Sequence, residues 1–203
     1  MCWVMKFTVS IIYFLFGLLL LNGYLVLNSS NAKSYRIYFS PESSVKIKGT
    51  TNVNAFKCQY NLSEFSDSLI VDFLENEKEI EFNNTELILP NINFDCGHNG
   101  ITKDFNKLLK TKEFPEIRLT ILKVKTPKSN DCAATVILDI TICGISNIYD
   151  IPISVNTDDG ITVKGLLPIN IEDFKLEAPT KVLGIIKVSK EIELDFYLKI
   201  HKF

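Results

Sequence analysis

Histidine is almost missing from this 203-residue chain: His98 and His201 are the only two. A Ser–His–acid arrangement needs a histidine base. His201 falls on the polar face of the last strand pattern, and His98 sits in the loop Asp95-Cys96-Gly97-His98-Asn99-Gly100. A Cys96–His98 pair has the residue types of a nucleophile and its base. The plainer reading, a bridged cysteine and a loop histidine, suits an exported chain better. No cysteines have the C-x-x-C spacing of a redox or zinc site. Asp158-Asp159-Gly160 lacks the remaining ligands of a calcium site and reads as a turn. No carboxylate pair can be assigned to glycoside hydrolysis. Positive charge is not in surplus either, with 22 basic residues against 24 acidic ones. Lys and Arg do not cluster on one face, so nucleic acid is not an expected partner. Internal repeats, low-complexity tracts and inter-domain linkers are also lacking. The expectation is a chain that is not an enzyme and needs no metal or cofactor.

The N-terminus carries what the rest lacks, a long apolar run. Lys6 is the only charged residue before Lys33, and residues 7–27 are apolar apart from a few positions. Ser30-Asn31-Ala32 then places small residues where a signal peptidase cuts. Residues 1–32 are expected to be a signal peptide. An uncleaved anchor is the alternative, since 21 residues can span a bilayer of about 30 Å. Either way residues 33–203 are expected outside the cytoplasm as one domain, periplasmic or secreted, or held at the membrane by residues 7–27. Four cysteines follow: Cys58, Cys96, Cys132 and Cys143. An even number in an exported chain favours disulfides. Cys132 and Cys143 bracket one strand pattern, too far apart for a bridge. Cys58–Cys96 is the preferred pair, with free buried thiols as the alternative. Asn61-Leu62-Ser63 and Asn83-Asn84-Thr85 have the form of glycosylation acceptors, which matter only in a eukaryotic secretory pathway.

Period-two alternation dominates after residue 34. Ile192, Leu194, Phe196, Leu198 and Ile200 alternate with polar neighbours. So do Ile161 to Ile171 on odd positions, Val136 to Ile142 on even ones, and Ile117, Leu119 and Ile121. Shorter runs are Val45/Ile47, Leu69/Val71/Phe73 and Ile151/Ile153/Val155. Alternation puts one apolar face on each strand. Turn signals at 75–78, 126–131 and 158–160 separate the runs. No strand–helix–strand order supports a parallel sheet. The pattern predicts an all-β antiparallel sandwich or barrel of about eight strands. One segment differs: Ile101, Phe105, Leu108 and Leu109 follow helical spacing, predicting an amphipathic helix at about 101–111. Asn99 or Thr102 is its expected cap and Pro115 its end.

The order of these motifs resembles the YceI-like family of exported lipid- and polyisoprenoid-binding proteins, over roughly residues 43–200. Residues 44–56 resemble its opening hairpin. Ile101-Thr102-Lys103-Asp104-Phe105, with Phe114-Pro115-Glu116-Ile117, resembles its helix and following strand. Ile140-Thr141-Ile142-Cys143-Gly144-Ile145 resembles its "L-T-I-x-G" turn. Ile171-Glu172-Asp173-Phe174-Lys175-Leu176 resembles its "DFG" segment, with Lys175 where the family usually has Gly.

The resemblance implies a lipocalin-like barrel holding an apolar chain lipid: an isoprenoid quinone, a polyprenol or a fatty chain. The interior candidates are Val45, Ile47, Phe56, Ile117, Leu119, Ile121, Leu138, Ile140, Ile142, Val163, Leu167, Leu194, Phe196 and Leu198. His98, Phe105 and Leu108 are candidates for the barrel mouth or the helix. The same stripes also describe a core packed solid with its own side chains. The alternative function is therefore a ligand-free structural or interaction domain of the cell envelope, membrane-anchored or free. Homodimerisation stays open.

Overall fold

The computed structural model describes residues 32–202 except 61, 63–67, 127–132 and 182–184. The expected export segment, Cys132, most of the 126–131 turn and the acceptor Asn61 lie outside the described residues. From Ala32 to Phe203 the chain forms one self-contained unit with its own core and disulfide.

The alternating runs become strands. They are β1 (Ala32–Phe39), β2 (Ser44–Thr51), β3 (Ala55–Tyr60), β4 (Leu69–Glu75), β5 (Glu79–Pro90) and β6 (Phe94–Asp95). After the helix α1 (Asn99–Leu108) come β7 (Glu116–Lys125), β8 (Ala134–Ile142), β9 (Ile145–Asn156) and β10 (Ile161–Asn170). The short β11 (Thr180–Lys181) and the 17-residue β12 (Ile186–Lys202) complete the order. Eight strands form a closed antiparallel ring in the order β1-β4-β5-β7-β8-β9-β10-β12. The ring shuts where β1 meets β12, with Ile37 opposite Lys202 and Phe39 opposite Ile200. The expected eight-stranded barrel is therefore present.

Four strands stand outside that ring. β12 is long enough to carry β2 further along the edge that holds β1, and β3 and β6 extend outward from β2. β11 pairs with the start of β12. Two glycines make β2 and β10 fit their neighbours. A Cβ on Gly49 would lie 2.3 Å from Phe56 Cζ, and one on Gly165 would lie 2.2 Å from Phe196 Cζ. Each phenyl ring thus rests flat on a cross-strand glycine, and any larger residue there would displace it.

Polar residues face out and pair across strands. Lys48 bridges Glu193 and Asp195, Arg118 bridges Glu86 and Glu116, and Lys123 bridges Glu79 and Glu81. These exposed pairs add little to stability but keep the outer wall wet.

The helix begins two residues earlier than the spacing predicts and stops three earlier. Its cap is His98, neither Asn99 nor Thr102: His98 Nδ1 accepts the Gly100 N–H at 3.1 Å. The Thr102 hydroxyl instead accepts the Cys96 N–H at 3.1 Å. The helix ends at Leu109, and Lys110 turns the chain at φ 49°. The apolar Leu109 belongs to the closing turn, which is why spacing alone extended the helix.

The barrel lumen as candidate functional site

Register decides which side chains face inward. Along the ring these are the odd positions of β1, β4, β9 and β10 and the even ones of β8 and β12. Two bulges reset the parity. In β5 the register shifts between Glu81 and Thr85, where Asn84 has φ 52°. In β7 it shifts between Ile121 and Lys123, so Val124 rather than Lys123 faces Val136. Among the described residues the inward positions that carry charge lie at the rim of one end: Lys33 and Glu75, which pair with each other, and Lys202, whose Nζ lies 4.7 Å from the Tyr35 ring centroid. Tyr35, Thr85, Asn147 and Tyr149 are uncharged polar groups of the wall.

The two ends of this apolar tube differ. At the helix end the interior is filled. Tyr60, Phe94, Cys96, Leu109, Phe174 and Leu176 are all buried there. Tyr60 meets Phe94 edge-on at 5.0 Å, and Phe94 meets Phe105 at 5.2 Å. The Cys58–Cys96 disulfide ties β3 to the chain that enters α1. The 3-10 turn Ile171–Phe174 is held by β9: Asn147 Nδ2 donates to the Asp173 carbonyl at 2.9 Å, and the Tyr149 hydroxyl donates to Asp173 Oδ2 at 3.4 Å. Burial, with the neighbouring Asp173 carboxylate, pushes the Tyr149 phenol up to about 12. It stays neutral and donating at any ordinary pH. Cys143, in the β8–β9 turn, donates its thiol to the Leu109 carbonyl at 3.1 Å, and burial raises its pKa. It is inert as a nucleophile.

At the opposite end, where the β4–β5 and β9–β10 turns lie, Val71, Ala134, Val136 and Ile153 are buried, but many other inward residues stay half-buried. They include Tyr35, Ile37 and Phe39 of β1, Phe73, Phe82, Ile121, Val163, Phe196, Leu198 and Ile200. Val155, inward by its pairing with Val163, is 44% exposed. An inward residue of a closed ring touches solvent only where the interior is accessible. Tyr35, Phe73 and Phe82 form an aromatic row with centroids 5.7 and 5.8 Å apart. This half-open, apolar, aromatic-lined stretch is the candidate site.

The expected interior residues divide between these regions. Val45, Ile47, Ile117, Leu138, Ile140, Ile142, Leu167 and Leu194 are inward and fully buried. Ile121, Val163, Phe196 and Leu198 are inward and half-buried toward the accessible end, and Leu119 is inward and half-buried opposite Ile140, nearer the helix end. Phe56 is half-buried on β3, outside the ring. Phe105 and Leu108 are half-buried helix residues at the filled end. His98 is exposed there and engaged as the helix cap. The β1 trio and Phe82 were not among the sequence candidates. Their signal was available, since Tyr35, Ile37 and Phe39 alternate with Arg36 and Tyr38. It sits shortly after the apolar run of residues 7–27, which masks its alternation.

Solved structures share this architecture. A protein from Burkholderia cenocepacia, BcnA, superposes with a TM-score of 0.54 at 16% identity, covering 79% of this chain and 96% of its own. A polyisoprenoid binding domain from Saccharophagus degradans, implicated in plant cell wall breakdown, superposes with a TM-score of 0.55 at 12% identity, covering 83% and 98%. Among curated proteins no sequence matches. The family model of the YceI-like domain matches residues 40–200, a span from just before β2 to near the end of β12. By that match, and with a ring of the same kind, the chain belongs to the YceI-like family.

Proposed function

We propose that this protein is an exported carrier that holds one apolar chain lipid in its barrel: an isoprenoid quinone, a polyprenol or a fatty chain. One observation carries the reading. Below a charged rim of Lys33, Glu75 and Lys202 the inner wall is uncharged, yet several of its residues toward that end stay half-exposed instead of packing shut. Exposed inward apolar surface is unfavourable in water by about 25 cal/mol per Å², and a hydrocarbon chain in the lumen removes that cost. An eight-stranded ring is wide enough for one such ligand. The Saccharophagus domain of the same fold is a polyisoprenoid binding domain, which favours a polyisoprenoid over a fatty chain. Binding needs no metal and no reacting residue. Export follows from residues 1–32, either cleaved after Ala32 or kept as an anchor.

The test is organic extraction of the protein purified from its native compartment, followed by mass spectrometry. A stoichiometric isoprenoid or acyl chain is expected. Recovery of no lipid, from protein whose ring is intact by circular dichroism, overturns the reading.

A further inference from the structure

Several apolar side chains are exposed on the outside of the molecule. Ile70, Ile148 and Leu166 stand singly on strand faces among polar neighbours. Val53 and Ile185 differ. Each is 65% exposed, and each lies in a turn at the far end of the β2–β3 hairpin. The two turns are tied together by Asn52. Its side chain donates to the Ile185 carbonyl at 2.9 Å and accepts the Lys187 N–H at 2.9 Å, while its own N–H donates to the Lys187 carbonyl at 3.1 Å.

The hairpin tip is also rigid without help from Val53. Thr51 Oγ1 accepts the N–H groups of Val53 and Asn54, and Asn54 Oδ1 accepts that of Ala55. The turn is built entirely by its polar residues, so nothing in its folding requires a branched aliphatic side chain at 53. Placing one there, beside a second at 185, costs solvation that a monomer in water does not recover.

We propose that the tip formed by Val53 and Ile185 is where this protein docks on an anionic lipid surface. The pair suits an interface: two short aliphatic groups on a stiff projection reach the boundary between headgroups and acyl chains. The charge around them fits the same partner. Lys187 follows Ile185 by two residues and is exposed, and Lys57 is exposed on the outward face of β3. Basic groups flanking an apolar tip meet lipid phosphates as it inserts. Below the tip, Phe56 and Ile192 pair with Gly49 and are half-buried. By register the tip lies beyond the Gly49–Ile192 pair, past the end of the ring that the Ile171–Phe174 turn fills and opposite the accessible end. Docking goes beyond lipid carriage, since it concerns an outer surface and does not depend on what fills the barrel.

The test uses residues 32–203, the self-contained unit, which removes the apolar run 7–27 as a source of membrane binding. Trp3 is the chain's one tryptophan, so this unit has none, and Val53→Trp installs a single reporter. With vesicles of phosphatidylcholine and phosphatidylglycerol, its emission should shift to the blue and be quenched by brominated acyl chains. Ile148→Trp, equally exposed on the barrel wall, should show neither change. The double variant Val53→Ser/Ile185→Ser should lose at least about tenfold in vesicle affinity, and Lys187→Glu should weaken binding on anionic vesicles. Unchanged Val53→Trp emission on folded protein overturns the proposal. So does equal quenching at Ile148→Trp, which is adsorption without a docking face. Extraction of barrel lipid is a separate readout, so failure of docking leaves lipid carriage standing, and the reverse.

Discussion

The two ends of the barrel are built from the same alternating strands, yet one is filled and the other is not. At the helix end, residues from outside the ring supply the plug: Tyr60, Phe94, Leu109, Phe174 and Leu176. At the other end the described turns, β4–β5 and β9–β10, are short and polar and bring no apolar side chain inward. Asn76 Oδ1 accepts the N–H groups of Lys78 and Glu79, and Asn156 Oδ1 accepts that of Asp158. Whether a β tube becomes a core or a container is thus decided by its connections. A long connection carrying a helix closes an end; a tight, self-satisfied turn leaves it accessible.

That contrast can be broken by substitution. Phe174→Ala, at 1% exposure, should cost as much as about 5 kcal/mol, because it empties a packed site. Leu198→Ala, inward but half-buried, should cost about 1 kcal/mol. Urea unfolding of both variants checks the difference, and equal losses would mean that the two ends are packed alike. Removing the disulfide with Cys58→Ala/Cys96→Ala should cost about 4 kcal/mol, the loop-closure figure for a separation of 38 residues. The expected result is a lowered melting temperature with barrel lipid retained below it. Val163→Phe fills the accessible end and should reduce lipid occupancy about tenfold, or about 1.4 kcal/mol, with melting nearly unchanged. Ile140→Phe, in the filled region, should instead destabilise by about 2 kcal/mol through overpacking. The smallest effect sharpens the contrast within the plug itself. Lys175 caps the 3-10 turn in the left-handed region, at φ 53°. Lys175→Gly should therefore stabilise by about 1 kcal/mol, read as a rise in the urea midpoint.

Much of the ring was legible because alternation is a direct record of which face is buried. β8, β10 and β12 show it over nine or more residues. Cysteine number favoured a disulfide and Cys58–Cys96 was the preferred pair, but excluding Cys132–Cys143 did not itself select it. The glycine usual after Asp-Phe in the family now has a cause as well, since that position needs positive φ. Three things were not legible. β1 was hidden by the apolar run that precedes it. The bulges at Asn84 and Leu122 reverse the parity inside a strand, which a strict period-two reading carries past them. The division of the lumen into filled and accessible stretches depends on side chains that reach in from α1 and the Ile171–Phe174 turn.

The length of β12 has one more consequence. It pairs with β10, β2, β1 and β11, and its last residues meet a strand that was made some 165 positions earlier, Ile37 against Lys202. No partial chain lacking it can close the barrel. During synthesis the nascent polypeptide stays an open, unfinished sheet until its final segment emerges, and folding is then dominated by distant pairings, which form slowly. Until that moment the chain remains loose enough to be threaded lengthwise through a narrow pore.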